Sequence, residues 1–370
     1  MKRKYIEKLT IAGFLGFTGV FSLWNVFAPK KDYSANENRT LAKSPDLSIS
    51  HIFSGKFDDD FETWFSDHFV NRDSWIELKS AVRKHTGSIE NNGVYYAEDG
   101  HLIKQFQTYD NTTLQQNIDT INEFCTAQGI KGNILLVPTA STTESQLLPL
   151  GSWDIDQYAL LDEIKAQFTD QTFIEVAGEL SGRDNLYFKT DHHWNEAGAW
   201  VGYEAIMKQV IGRDPERFKF ELVSTNFCGT MYSKSGAFWT KPDGIYKFTS
   251  KEKDLTVTVT YDDGTVTDTL FNDERLNEKD QYTYYLDGNH AEVKISTNAG
   301  TGKKAVIVKD SYAHILVPYL AAYYDEIDMI DLRYYHSPVS DLLTDKEQTD
   351  VYFIYSLDNF AEDPNVVFLR

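Results

Sequence analysis

Apolar positions along this chain change period several times, and each change marks a different kind of element. The first block runs from Leu9 to Ala28 without a charged residue, behind Lys2, Arg3, Lys4 and Lys8. About twenty such residues suffice to cross a bilayer as a helix. The basic cluster on the near side keeps that end in the cytoplasm and sends the rest of the chain outside. The rival is a cleaved signal peptide, but this run is long and ends V-F-A-P, and proline after the small residue is a poor cleavage site. The expectation is an uncleaved single-pass anchor over 1–28, a polar, proline-punctuated linker over 29–56, and one large extracytoplasmic domain over 57–370.

From Phe57 the spacing becomes helical. Phe57, Phe61, Trp64, Phe65 and Phe69, then Trp75, Leu78 and Val82, recur every three or four residues. Such a stripe reads as core packing. Asp58, Asp59, Asp60 and Glu62 load the first turn, favourably for the helix dipole. Gly93 to Leu102 reads as a hairpin turning at Asp99-Gly100. Thr112 to Gln128 is an amphipathic helix stopped by Gly129. Next come a short apolar run at Asn133 to Pro138, a helix over Gln157 to Phe168 and a strand at Thr172 to Val176. Unbroken apolar runs of this length suit strands buried on both faces. Alternation of strand and helix predicts an α/β fold with a mostly parallel sheet.

Over about 213–300 the helical period fades. Short alternating segments, Leu255 to Tyr261 and Tyr282 to Leu286 among them, are separated by D-D-G, D-G-N and N-A-G-T-G. This predicts a β-rich insertion between two halves of the α/β domain. The parallel pattern then resumes with strands at Ala305 to Lys309, Glu326 to Leu332 and Val351 to Tyr355, and a helix over Ile315 to Tyr324. Ser311, Arg333 and Asn359 each follow the carboxyl end of one of these strands, where open parallel sheets bind ligands.

Charge narrows the partners. The formal net charge is -20, so no nucleic acid is expected, because nothing releases phosphate counterions. A weakly charged polymer such as a polysaccharide fits better. The two cysteines, Cys125 and Cys228, are too few for a disulfide scaffold and fall in segments assigned to different layers. Neither has a metal-ligand spacing.

The densest chemistry lies in Y-F-K-T-D-H-H-W-N-E-A-G-A-W, Tyr187 to Trp200. Asp191 and His193 are two apart, and in an extended segment they share a side, with His192 turned away. An Asp that accepts from one ring nitrogen leaves the other free to take a proton. Ser311 in K-D-S-Y sits between an apolar strand and a helix, where free amides favour an oxyanion. His193 is the base such a serine needs. Asp-Ser after a strand is also an ordinary helix cap. Adjacent histidines on a strand diverge, which disfavours a shared metal, and no metal or cofactor is expected.

F-K-T-D-H-H-W-N-E-A-G-A resembles the signature of the DHHW family, a branch of the SGNH-hydrolase-like proteins that includes the alginate O-acetylation proteins. E-N-R-T-L, G-K-F-D-D-D-F-E-T-W-F-S-D-H-F, G-T-M-Y-S-K-S-G and K-D-S-Y fit it as well. The resemblance covers nearly the whole chain after the apolar run. It implies an SGNH-like, flavodoxin-like sheet with the serine block moved to the back of the domain, and a triad of Ser311, His193 and Asp191. It also implies O-acetyl transfer to a surface polysaccharide, with acyl groups relayed by a membrane-bound O-acyltransferase. An acetyl esterase and a non-catalytic glycan-binding accessory protein are the alternatives. Arg333 stands near the family's oxyanion Gly and Asn359 near its Asn. His192, Trp194 and Tyr312 flank the triad as candidate substrate contacts.

Overall fold

A computed structural model describes residues 2–34, 36–37 and 39–369. Asn38 of the E-N-R-T-L motif lies outside the described residues, as do Met1, Ala35 and Arg370. Residues fall into two compact units, Met1–Thr86 with Gly236–Trp239, and Gly87–Ser235 with Thr240–Arg370.

The first unit is helical: α1 (Lys2–Phe27), α2 (Ile49–Phe53), α3 (Lys56–Asp67) and α4 (Arg72–His85). Helix α1 contains a 22-residue stretch, Lys4–Asn25, of mean hydropathy 1.3. It is long and apolar enough to cross a membrane, a test that a signal sequence near an N-terminus also passes. The linker is tied back by the E-N-R-T-L motif. The Arg39 guanidinium pairs with the Asp67 carboxylate, which also accepts from the Ala42 N–H at 2.8 Å. The Arg39 hydrogen bond outweighs burial and brings the Asp67 carboxyl down to about 2. The aromatic stripe of α3 and α4 is only partly buried. Phe61, Phe65, Trp75, Leu78 and Val82 are exposed by 38–51%, so the expected core packing is not what these residues do within this unit.

The second unit is built on an eight-stranded sheet of β1 (Gly132–Val137), β2 (Thr172–Phe173), β3 (Val257–Tyr261), β4 (Val266–Thr267), β5 (Glu292–Thr297), β6 (Lys304–Lys309), β7 (Glu326–Ile330) and β8 (Thr349–Ser356). The order is β4-β3-β5-β7-β6-β8-β1-β2. The run β7-β6-β8-β1-β2 is parallel, and β4, β3 and β5 extend it antiparallel. Side chains alternate across the central strands. Ala305, Ile307, Leu135, Val137, Tyr352 and Ile354 enter the core shared with α7 (Glu196–Ile206) and α8 (Ala313–Leu320). Val306, Val308, Ile134, Leu136, Val351 and Phe353 enter the opposite core, shared with α5 (Asn111–Gln128), α6 (Gln157–Lys165) and α9 (Leu357–Glu362).

Two expectations about 213–300 change. Its strands divide: β3, β4 and β5 join the main sheet, while Phe218–Phe227 and Asp243–Ser250 form a separate two-stranded ribbon. The segment from Tyr282 to Leu286 is not a strand. Gln281–Tyr284 is a 3-10 turn, and only an isolated bridge joins Phe271 to Tyr285. Buried aromatic rings on adjacent positions, Tyr282, Tyr284 and Tyr285, produced the strand signal without a ladder to support it. The hairpin at Gly93 is present as paired strands Val94–Tyr96 and Leu102–Lys104, with Asp99 and Gly100 at positive φ in the turn.

Candidate functional site

The loop bearing Asp191 and His193 is a chain of bends, not the extended segment expected. A bridge between Tyr187 and Trp194 closes it. Asn195 caps α7 behind it by accepting from the N–H groups of Ala197 and Gly198 at 2.9 and 3.1 Å. Trp194 is fully buried, and its indole N–H donates to the Tyr312 carbonyl at 2.9 Å. The indole fits only because α7 carries Gly202, where a Cβ would lie 2.6 Å from Trp194 Cη2. Trp194 therefore ties this loop to the Ser311 loop from beneath and offers no surface to a substrate. Tyr312, 1% exposed, does the same from the other side, donating its hydroxyl to the His192 carbonyl. Both were candidate substrate contacts in the sequence, and burial removes them from that role.

His193 Nε2 lies 2.7 Å from Ser311 Oγ, and His193 Nδ1 lies 2.5 Å from Asp191 Oδ1. The tautomer that fits has Nδ1–H donating to the carboxylate and Nε2 accepting from the serine hydroxyl. Burial opposes ionisation of Asp191. The two histidines and the Thr230 N–H overcome it and hold the carboxyl far below its ordinary range. Its second oxygen, Oδ2, accepts from the Thr230 N–H at 2.7 Å and the Thr230 hydroxyl at 2.8 Å. Gly229 makes this approach feasible, because a Cβ there would overlap the Asp191 carboxylate.

His192 does not turn away as expected. Its ring centroid is 3.9 Å from that of His193, and its Nδ1 lies 2.8 Å from Thr230 Oγ1. Burial and the neighbouring His193 push it below its ordinary range, disfavouring its charged form. Asp191, His192 and His193 offer donor atoms within 4.8 Å of one another. In this arrangement both Asp191 oxygens and both His193 nitrogens already bond within the protein.

Ser311 is half-buried at the mouth of the turn between β6 and α8. Asp310 fixes that turn. Its Oδ1 accepts from the Tyr312 N–H at 2.9 Å. Its Oδ2 accepts from the Ser356 N–H at 2.9 Å and the Asn359 amide at 3.2 Å. Asn359 thus sits at the expected sheet edge with its amide turned to Asp310. Arg333, after the adjacent parallel strand β7, is held by Asp331 at 2.8 Å and 2.6 Å and by Asn289 at 3.2 Å. Both side chains buttress the strand ends through these bonds. Asp331 also binds the buried Lys309 ammonium at 3.0 Å, and Lys309 reaches His314 Nε2 at 2.8 Å.

Sequence reasoning missed Tyr282. Its ring stacks on His193 with centroids 3.8 Å apart and planes 6° apart, and its hydroxyl donates to the Ser311 carbonyl at 2.8 Å. It comes from the β-rich segment, where nothing local marks one tyrosine of Q-Y-T-Y-Y above the others. Thr230 and Gly229 lie in G-T-M-Y-S-K-S-G, a motif noticed without a role. Cys125 and Cys228 are both free thiols.

The fold and site together are those of an α/β protein whose doubly covered, mostly parallel sheet brings a serine, a histidine and an aspartate together at its carboxyl edge. The model of the DHHW protein family matches residues 178–330, the stretch from before Asp191 to the end of β7. Among solved structures, a DHHW family protein from Eubacterium siraeum is 23% identical, with a TM-score of 0.65, covering 76% of this chain and 96% of that one. PatB1 of Bacillus cereus, solved with a sulfonyl adduct, is 24% identical, with a TM-score of 0.59, covering 74% and 97%. The O-acetyltransferase domain of Pseudomonas putida AlgJ is 15% identical, with a TM-score of 0.46, covering 73% and 92%. No curated protein sequence matches the chain.

Proposed function

We propose that the chain is a membrane-anchored, extracytoplasmic O-acetyltransferase acting on a cell-surface or secreted polysaccharide. The observation that carries this reading is the 2.7 Å approach of His193 Nε2 to Ser311 Oγ, with Asp191 on the other ring nitrogen. As Ser311 Oγ attacks an acetyl carbonyl, His193 takes the hydroxyl proton and returns it to the departing group, leaving an acetyl-serine. An acceptor sugar hydroxyl then attacks that ester while His193 removes its proton, and Ser311 leaves with the proton restored. The Ser311 N–H, at the entry to α8, stabilises the oxyanion of both steps. Asp191, held ionised, keeps the imidazole in its working tautomer and supports the imidazolium.

The acetyl donor is delivered by a membrane-bound O-acyltransferase, and α1 keeps the domain at that membrane. Support for α1 as an anchor is its length and its uncharged run behind basic residues. B. cereus PatB1 has been captured with a sulfonyl adduct; a sulfonyl fluoride applied to this chain should attach at Ser311, and peptide mass mapping reads the position. Full-length protein given an activated acetyl ester and surface glycan should then release acetylated glycan. Hydrolysis with no glycan product would make it an esterase. Equal acetyl transfer by Ser311→Ala would end the covalent mechanism and leave a binding protein.

A further inference from the structure

Helices α3 and α4 carry an aromatic face that runs without a break into the span. Rings follow one another from Phe57 to Phe61, Phe65, Phe69 and Trp75, at centroid spacings of 5.9, 5.9, 5.7 and 6.5 Å. Trp75 then packs edge-on against Phe21 of α1 at 5.7 Å, and Phe21 meets Phe17 at 4.5 Å. The turn between α3 and α4 is fixed to the end of the same helix. The Val70 N–H donates to Asn25 Oδ1 at 3.0 Å, and Lys30 Nζ donates to the Asn25 carbonyl at 2.7 Å. His68 reaches the Lys31 carbonyl at 2.9 Å.

We infer that α2, α3 and α4 lie in the outer interface of the bilayer that α1 crosses, with their aromatic and aliphatic face among the lipid headgroups and upper acyl chains. The inference rests on the reading of α1 as a membrane anchor. The apolar stretch ends at Asn25. Phe21 is four residues deeper, about 6 Å along a helix axis. A side chain in contact with Phe21 is therefore at roughly that depth, and interfacial helices sink their apolar face about 5–10 Å. Trp75 does so, and its indole N–H is satisfied by the Val70 carbonyl at 3.2 Å, the arrangement of a ring with an apolar body and a polar tip at a membrane surface. On the same three helices Phe53 is 87%, Leu78 51% and Phe65 38% exposed, apolar area that water alone would not favour. By helical spacing Asp59 lies opposite Phe57 and Phe61 on α3, and with acidic residues on that helix, burial of apolar area, not attraction to anionic lipid, drives the contact.

The test uses the full chain with Cys125→Ala and Cys228→Ser, reconstituted in phosphatidylcholine–phosphatidylglycerol vesicles. Spin labels are placed singly at Phe53→Cys, Phe65→Cys, Leu78→Cys, Asp59→Cys and, in α1, Gly16→Cys. Labels at 53, 65 and 78 should collide with a water-soluble nickel complex about tenfold less often than the label at 59, and more often with oxygen. Quenching of tryptophan fluorescence by dibrominated lipid in the unlabelled protein, reduced by Trp75→Phe, gives a second measure free of labels. If the label at 16 is deep while those at 53, 65 and 78 are as wet as 59, the inference fails and the anchor stands. If the label at 16 is itself in water, both fall. Labels that are wet in pure lipid but dry once an acyltransferase is co-reconstituted would overturn the lipid surface in favour of a protein partner.

Discussion

The Tyr282 ring lies flat against His193, with centroids 3.8 Å apart and planes 6° from parallel, while its hydroxyl donates to the Ser311 carbonyl at 2.8 Å. One side chain therefore holds both the His193 imidazole and the backbone of Ser311. Burial raises the phenol well above its ordinary range, so it stays a donor at every working pH. The stacked face also screens one side of the imidazole from water.

Tyr282→Phe keeps the stack and loses only the hydrogen bond. A few-fold fall in kcat is expected, in line with one neutral hydrogen bond of about 1 kcal/mol. Tyr282→Ala removes the platform and frees the His193 ring, and kcat should fall about a hundredfold or more. Steady-state assay of both variants on an acetyl ester checks the ranking. Equal loss in the two would mean that the ring itself contributes nothing.

Thr230 completes the Asp191 carboxylate with two donors, its N–H at 2.7 Å and its hydroxyl at 2.8 Å. Thr230→Val keeps the backbone donor and the shape. Loss of one hydrogen bond to a charged group, about 1.5–3 kcal/mol, should lower turnover by roughly ten- to a hundredfold. Gly229→Ala should be worse, because its Cβ would occupy the space of the Asp191 side chain. Turnover and melting temperature measured together separate the two, since Thr230→Val should change the second much less than Gly229→Ala.

Asp191→Asn should cost a large factor, though less than loss of the nucleophile, because the amide favours the wrong imidazole tautomer. Ser311→Ala and His193→Ala should each cost about a thousandfold or more, and the double variant little beyond either, since the residues act as a unit. His192→Ala should be milder. Burial and His193 disfavour its charged form, and it reaches Asp191 mainly through Thr230. A pH–rate profile of His192→Ala that keeps the parent's acid limb would show that His192 does not titrate in the mechanism.

Strand and helix alternation was legible in the chain because β1, β6 and β8 are short apolar runs with both faces covered, which the code of periodicity expresses directly. Ser311, His193 and Asp191 were legible for a different reason: D-H-H-W and K-D-S-Y place reactive groups beside elements whose ends could be located. Orientation was not legible. Whether Asn359 faces a ligand or Asp310, and whether His192 turns out or toward Thr230, depends on neighbours 49 and 38 residues away. Tyr282 was hidden for the same reason, being one buried tyrosine among several. The segment that carries it resembles a strand because aromatic side chains favour both sheets and packed turns.

Glu144 gives the last prediction. It is 1% exposed, beneath the loop that leads to Asp191. One oxygen accepts from the Leu186 N–H at 3.1 Å, and the other finds no partner among the described residues. Burial raises the carboxyl to about 7, against the pull of the N–H groups of Leu186, Tyr187 and Asn185 and with help from Asp184. An unfolded glutamate has its ordinary value of 4.5. Below that both states hold the proton, and pH has no effect through this group. Between 4.5 and about 7 the unfolded chain releases a proton that the folded chain keeps. Stability therefore falls as pH rises through that window and levels off above it, by about 3 kcal/mol in total. Glu144→Gln retains an acceptor for Leu186 and removes the titration. Glu196, raised by burial to about 7 as well, leaves a slope of similar sign in the variant. Urea unfolding across pH 4 to 8 (roughly the span over which the two states differ) should show the variant gaining on the parent above pH 7 and drawing level or losing below 4.5. A variant whose stability parallels the parent's at every pH would mean that Glu144 does not carry a raised pKa in the folded protein.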